Sequence, residues 1–177
     1  MSLSKLLNPD SIAVIGASSN KNKLGYQILN NLLSSLSKRE KDILGRRFGL
    51  DKKERETLKK IGEAHDLTRE RVRQVENAGV NKIKKLKEVN KHLQELKDVT
   101  RQILEEHGGI AEKNYLLKVL SRLSTDEADQ EQSEISKNRL EFLLSKLMQE
   151  EVEEVKGTKN FQHSYKIREY QLDHLEE

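Results

Sequence analysis

Apolar residues recur every three or four positions along most of the chain, which is the spacing of amphipathic helices. Such series run from Leu24 to Leu36, from Leu36 to Phe48 and from Ile83 to Ile103. Further helices are predicted at 112–123 and 135–148. Two short segments, Val152–Val155 and Ser164–Ile167, are interpreted as strands; they flank a connection that contains Gly157 and predict a hairpin. The pattern therefore predicts a mainly α protein with little sheet.

Between the second and third series the sequence predicts a helix-turn-helix. Thr57 is the expected N-cap of a helix over 58–65, and Thr68 that of the next helix. Asp66 falls in the turn, where a left-handed residue is often needed and Asp tolerates that conformation better than most residues. The inward stripe of the second helix consists of Val72, Val75, Gly79, Ile83 and Leu86.

The opposite face of that helix carries side chains suited to a DNA groove: Arg69, Glu70, Arg73, Gln74 and Asn77. Arginine can donate two hydrogen bonds to guanine, glutamine can pair with adenine, and glutamate can accept from cytosine. Thr68 and the first helical amides are placed to meet a phosphate. An ordinary solvated helix of alternating charge is the alternative. Lysines expected on the flanking DNA backbone, with a salt-dependent affinity, are Lys59, Lys60, Lys82, Lys84, Lys85 and Lys87.

The series from Ile83 to Ile103 predicts a long continuous helix. It either joins the helix-turn-helix to a following domain, which we favour, or forms a homodimer through residues 83–103 as a short coiled coil. His107-Gly108-Gly109 closes this helix in the manner of a C-cap. Three helices, with an acidic loop at 124–134, and then a hairpin have the order of a winged helix.

Charge is unevenly distributed along the 177 residues. Residues 38–91 hold 18 basic and 10 acidic side chains, whereas residues 92–177 hold 12 basic and 19 acidic ones. This contrast indicates a unit that binds a polyanion beside one that does not. An aromatic content of 4% suggests two thin helical cores instead of one large core.

The composition argues against several functional classes. The longest apolar run, Ile12–Ile15, is far too short to span a membrane, so we expect a cytoplasmic protein with no membrane partner. The chain has no Cys, and its five His are scattered without metal-ligand spacing. We therefore expect no enzyme, no catalytic residue, no cofactor, no metal and no small-molecule substrate.

The first 33 residues read as a strand over 11–15, a small-residue turn over 16–20 and a helix. The stretch Leu6 to Ser18, together with Lys23-Leu24-Gly25-Tyr26, resembles the start of the CoA-binding domain of ADP-forming acyl-CoA synthetases. The resemblance implies CoA binding. The family's domain needs several more βα units than follow here, so we interpret residues 1–33 as a partial, non-functional segment used for packing.

A more specific resemblance covers residues 34–88. Leu36 to Leu44, Arg46 to Asp51, Thr57-Leu58 with Ile61-Gly62, and above all Leu67 to Glu76 resemble the fourth conserved region of housekeeping bacterial sigma factors. The resemblance implies a domain that reads the minus-35 promoter element in double-stranded DNA and binds the β flap of core RNA polymerase. By that resemblance, the residues at base edges and in the groove would be Arg69, Glu70, Arg73 and Gln74, with Thr68 and Arg71 on phosphates.

The last part of the chain resembles the HARE-HTH winged helices, a family that includes the N-terminal domain of the RNA polymerase delta subunit. The matching features are Ile103 to Gly109 and Phe161 to Ile167. Acidic residues would repel phosphates, so we expect this domain to bind protein: Glu141, Glu150, Glu151, Glu153 and Glu154.

The predicted organisation is thus a sigma-type helix-turn-helix domain at 34–91, joined by a long helix to a winged helix at 92–170, with a tail at 171–177. The predicted function is a DNA-binding transcription initiation factor or regulator. The alternative is a delta-like accessory module that binds RNA polymerase without reading DNA sequence.

Overall fold

The computed structural model describes residues 24–52, 54–122, 130–159 and 161–170. These form the mainly α fold that the sequence predicts, with a small three-stranded sheet. The helices are α1 Leu24–Leu33, α2 Lys38–Phe48, α3 Leu58–His65, α4 Arg69–Lys84, α5 Val89–Glu106, α6 Lys113–Arg122 and α7 Gln130–Phe142, which continues into a π-helical turn, Leu143–Leu147. The strands are β1 Ile110–Glu112, β2 Val152–Val155 and β3 Ser164–Ile167.

The predicted hairpin is confirmed, and a third strand joins it. The sheet order is β1-β3-β2, antiparallel throughout, with Ala111 opposite Tyr165 and Glu154 opposite Tyr165 on the other side. Sequence periodicity missed β1 because three residues are too few to show an alternation. Glu112 ends that strand and its carboxylate accepts the backbone N–H groups of Asn114 and Tyr115 at 2.8 and 2.6 Å, so it starts α6 directly.

Two predicted boundaries need correction. The long continuous helix over 83–103 is interrupted, because α4 ends at Lys84 and α5 begins at Val89 after a turn in which the Leu86 N–H donates to Ile83 O. The acidic loop predicted at 124–134 gives way to helix by Gln130, five residues before the predicted start at Ile135. The polar composition of this stretch concealed the extra turn of helix.

The apolar core joins the two predicted domains instead of dividing between them. A small cluster of Ile43, Ile61 and Val72 fills the helix-turn-helix. A larger cluster runs without a break from Leu44 and Ile83 into α5, α7 and the sheet. The expectation of two separate thin cores is therefore wrong, because the helix-turn-helix contributes one face to each cluster.

The apolar stripe of α5 is used inside the chain. Leu93, Leu96, Val99 and Ile103 are each at most 5% exposed and belong to the larger cluster. In this conformation the stripe cannot be offered to a second chain. The favoured role, an intramolecular link between the two parts of the molecule, accounts for its burial, and a homodimer through residues 83–103 would require it to unpack.

Hydrogen bonds tie α7 to the C-terminal end of α2. The Asn138 side-chain amide donates to Gly49 O at 3.2 Å, and Arg139 Nε donates to Leu50 O at 2.6 Å. Arg55 adds a contact in the opposite direction. Its Nη2 donates to Asn138 Oδ1 at 2.6 Å and also to the Glu141 carboxylate. The segment from α5 to β3, where the sequence predicts a winged helix and which we call the winged-helix segment, is thereby bound to the carbonyl groups of the two residues that follow α2.

The predicted strand at 11–15, the turn at 16–20 and the tail at 171–177 lie outside the described residues. So does most of the segment that resembles a CoA-binding domain, whose described part is α1. The apolar face of α1, Ile28, Leu29 and Leu32, packs into the larger cluster. No helix among the described residues is long and apolar enough to cross a membrane.

Replacing Asn138 by Ala is expected to destabilise the whole protein. The substitution removes the partner of Gly49 O and one acceptor of Arg55 in a largely buried setting. The expected loss is about 1–3 kcal/mol in the free energy of unfolding, measured by urea denaturation. Asn114→Ala, at an exposed position on α6, is the matched control. A loss no larger than that of the control would show that α7 does not stabilise the end of α2.

Candidate nucleic-acid interface

The first helix of the helix-turn-helix is held at both ends by local contacts. Thr57 is its N-cap, because the Lys60 N–H donates to Thr57 Oγ1 at 3.2 Å. Asp66 ends it in the left-handed conformation, with φ 53° and ψ 43°. A Cβ on Gly62 would lie 2.5 Å from Leu67 O, so only glycine allows the turn to pass this close to α3. These features confirm the predicted turn.

The second helix, α4, begins as predicted at Thr68, whose Oγ1 accepts the Arg71 N–H at 3.2 Å. Val72 is fully buried against Ile43 and Ile61 and sets the rotation of α4 about its axis. The polar residues between these buried positions therefore face away from the rest of the protein. The exposed residues at the start of α4 are Thr68, Arg69, Glu70, Arg71, Arg73, Gln74 and Asn77.

Two pairs of side chains on this face are joined to each other. Arg73 donates from Nε and Nη2 to the two oxygens of Glu70, at 2.9 and 2.7 Å. Arg71 Nη1 donates to Gln74 Oε1 at 3.0 Å. The hydrogen bonds of Arg73 hold the pKa of the exposed Glu70 below its usual range, with Arg69 adding a smaller effect, and Glu70 raises the pKa of Arg73 in return. Both groups therefore stay charged at neutral pH.

The predicted flanking lysines occupy two places. Lys59 and Lys60 lie exposed on the first turn of α3, where Lys59 approaches Glu63 at 3.9 Å. Lys82 on α4 donates to both oxygens of Glu40, at 2.8 and 3.0 Å. Lys82 is thus engaged in fixing α4 to α2. Lys84, Lys85 and Lys87 remain exposed around the end of α4.

Glu40 also closes a capping box at the start of α2. Its carboxylate accepts the Ser37 N–H at 2.8 Å, while Ser37 Oγ accepts the Glu40 N–H at 3.3 Å. The Lys82 hydrogen bond first, and the Ser37 N–H second, lower the pKa of Glu40 to about 2. The spacing Ser-x-x-Glu is readable from sequence as a helix start, whereas the pairing with Lys82 is not.

A second group of charged residues joins α2 to α4 and to the segment before α3. These contacts are not predicted from the sequence. Arg47 on α2 approaches Glu76 on α4 at 3.4 Å and donates to Glu56 O at 3.2 Å. Arg46 pairs with the Glu56 carboxylate at 3.0 Å. Because the partners lie 9 to 29 positions apart in the sequence, no local pattern indicates them.

The arrangement has the form of a DNA-binding domain: an N-capped helix with an exposed, charged first turn, set on a short preceding helix by a buried apolar contact. Residues 32–85 match the family model of sigma-70, region 4. The resemblance predicted for residues 34–88 is therefore confirmed at the level of this region.

Curated relatives agree with the family match. The chain is 45% identical over 56 residues to RNA polymerase sigma factor SigA of Microcystis aeruginosa, which covers 32% of the chain and 14% of that protein. It is 44% identical over 69 residues to sigma factor sigB of Arabidopsis thaliana, covering 39% and 12%. With the principal sigma factor HrdD of Streptomyces viridifaciens it shares 36% over 77 residues, covering 44% and 23%.

The chain thus spans less than a quarter of the length of these relatives. Sigma factors are transcription factors and not enzymes, in agreement with the expectation for this region. No solved structure matches the chain.

Gly62→Ala is expected to destabilise the protein by about 1–3 kcal/mol, because the new methyl group would meet a backbone oxygen that cannot move without opening the turn. Chemical denaturation measures the loss. Gly25→Ala on α1, where the added Cβ would make ordinary contacts at 3.5 Å, is the control and should be neutral or slightly stabilising. Equal effects at both positions would show that the turn is not constrained at Gly62.

Glu40→Gln is expected to lower stability at neutral pH by about 1 kcal/mol, a typical value for a lost capping interaction. Because folding lowers the pKa of Glu40 to about 2, its carboxylate contributes stability above the ordinary pKa near 4.5. That contribution is lost as the pH falls towards 2. Unfolding curves of both proteins between neutral pH and pH 2 should therefore converge, and a constant difference would contradict the ionic role.

Proposed function

We propose that this protein binds promoter DNA as a transcription initiation factor or regulator, with α4 in the major groove. The observation that carries the proposal is the exposed first turn of α4 in a segment that matches sigma-70, region 4. Arg69, Glu70, Arg73 and Gln74 read base edges of a minus-35 element. Thr68 and Arg71 contact phosphates.

The geometry of α4 supports these roles. The N-terminal turn of a recognition helix enters the groove, so its side chains reach the bases first. Arg73 is long enough to leave Glu70 and donate its two-pronged guanidinium to a guanine, while Glu70 then accepts from a cytosine. Asn77, two turns after Arg69 on the exposed side, contacts the groove at its edge.

Backbone contacts accompany the base contacts. Lys59 and Lys60 stand on the first turn of α3, which precedes α4 across the turn, and their ammonium groups are exposed. In this arrangement α3 crosses the sugar-phosphate backbone while α4 lies in the groove. The affinity should therefore fall steeply with salt concentration.

The second partner we propose is core RNA polymerase, bound through the β flap. The relatives are named as RNA polymerase sigma factors, and the matched region is shared with them. This assignment needs no DNA contact, so it also underlies the alternative of a polymerase-binding accessory module.

The winged-helix segment is proposed to dock a protein. Of the acidic side chains assigned to this role, Glu141 is bound to Arg55 and Lys113, Glu151 to Lys97, and Glu153 to Lys166. Glu154 is paired with Lys113 and His163. Docking would therefore involve Glu150 and the exposed parts of Glu153 and Glu154, a smaller surface than the sequence indicates.

Arg73→Ala combined with Gln74→Ala should abolish the preference for duplexes containing a minus-35 element. Each lost two-point contact to a base costs about 1–3 kcal/mol, so the affinity for the cognate duplex should fall at least tenfold. A gel-shift titration against cognate and scrambled duplexes measures both quantities.

Arg101→Ala with Gln102→Ala, on α5, removes the same residue types elsewhere and should leave the preference intact. If the wild-type protein shows no preference but copurifies with core polymerase in the absence of DNA, the accessory-module alternative replaces the proposal. An unchanged preference in the α4 variant would contradict the assigned base contacts.

A further inference from the structure

We propose that the DNA-binding surface continues past α4 onto the winged-helix segment, as a basic surface formed by Lys84, Lys85, Lys87 and Arg168 that binds the sugar-phosphate backbone. The inference rests on the proposed function, because it takes α4 to lie in the groove. It gives the winged-helix segment a direct nucleic-acid contact, in place of the phosphate repulsion expected from its acidic sequence.

The exposed face of α4 leads straight to this surface. Successive residues of a helix turn by about 100°, so Arg73, Asn77, Asn81 and Lys84 lie along one line on α4. All four are exposed. Lys84 lies eleven residues after Arg73, about 16 Å further along the axis. Because the major groove is about 12 Å wide, a helix that reads bases near Arg73 carries Lys84 out to the backbone.

The turn between α4 and α5 adds cations at that point. Residues 82–91 contain five lysines and one glutamate, Glu88. Lys85 and Lys87 are exposed in the turn itself. They cannot follow the apolar stripe inward, since Ile83 is fully buried and Leu86 is packed against the core. The turn therefore presents its lysines on the side away from the core.

Hydrogen bonds connect the end of α4 to the winged-helix segment at the same place. Lys84 Nζ donates to Gln149 Oε1 at 2.9 Å, and Arg168 Nε donates to Gln149 O at 2.7 Å. Gln149 follows the π-helical turn and Arg168 follows β3, so both come from the winged-helix segment. Arg168 is exposed. The row of exposed residues on α4 is thus connected through Gln149 to Arg168 of the winged-helix segment.

A cleft of about 490 Å³ lies at this junction. Its cations are Lys84, Lys97 and Arg168, against one carboxylate, Glu150. Lys97 is neutralised by an ion pair with Glu151, so the charges left in the cleft are the two cations Lys84 and Arg168 and the one carboxylate of Glu150, an excess of one positive charge. Side-chain amides of Asn90 and Gln149 add hydrogen-bonding groups. A phosphodiester group suits this composition, because it is anionic and accepts hydrogen bonds from both ammonium and guanidinium groups.

The position of Arg168 relative to α4 is fixed, which a backbone contact requires. The larger apolar cluster runs through both parts of the molecule, and Asn138 and Arg139 bind the backbone after α2. Arg168 is consequently carried with α4 as one body and reaches the same strand each time α4 enters the groove.

The test is the salt dependence of binding for Lys84→Gln combined with Arg168→Gln. Loss of two phosphate contacts should reduce the slope of log affinity against log salt by about 1.8. The ratio of wild-type to variant affinity should therefore change roughly tenfold between 50 and 200 mM salt. The effect should be equal for cognate and scrambled duplexes, because phosphates carry no sequence information.

Lys118→Gln combined with Lys156→Gln removes two exposed charges elsewhere in the winged-helix segment and is the matched control. Arg168→Gln alone should reduce the slope by about 0.9, and Arg168→Lys should restore most of it. A slope equal to that of the control overturns the inference. The same titrations also measure the sequence preference of the wild-type protein. Absence of that preference would contradict the proposed function, whereas an unchanged salt slope in the variant would contradict only this inference.

Discussion

The carbonyl groups that follow α2 are the point on which the molecule's architecture depends. Gly49 and Leu50, the first two residues after α2, are buried, and their carbonyl groups accept hydrogen bonds from the side chains of Asn138 and Arg139. The contact matters because both donors lie on α7, about 90 residues away, and a buried acceptor left unpaired would be costly. Through it, the helix-turn-helix and the winged-helix segment share one core. The position of α4 is therefore a property of the whole chain.

The same contact explains what α7 does. In the predicted winged helix, α7 is the third helix, the element that could enter a groove, but it packs against α2 and the residues that follow α2. The ring of Phe142 packs against that of Phe48 in a tilted arrangement, with ring centroids 4.9 Å apart, and Glu141 binds Arg55 and Lys113. Burial opposes ionisation of Glu141, yet hydrogen bonds from these two cations lower its pKa below the usual range. The acidic residue that suggested repulsion of DNA is thus used inside the protein.

Local features could be predicted from the sequence, and long-range ones could not. Thr57, Asp66 and Thr68 act within four residues of themselves, so their capping and turn roles follow from residue type and spacing. The exposed face of α4 follows from the period of its buried residues. The pairs Lys82–Glu40 and Arg47–Glu76, and the contact between Asn138 and Gly49, join distant positions and have no local signature. The interruption after Lys84 was concealed because the apolar period continues across the turn.

The two side-chain pairs on α4 have a consequence for how the protein would search along DNA. Solvent screens an exposed ion pair such as that between Arg73 and Glu70, so the pair is only weakly held and opens and closes readily. Under the proposed function, closed pairs would occupy donors of Arg73 and Arg71 within the protein, so these two side chains would be held less strongly at wrong bases. With the pairs open, the same groups meet a matching base pair. A base contact by any of these four side chains would therefore replace a hydrogen bond that the free protein already makes.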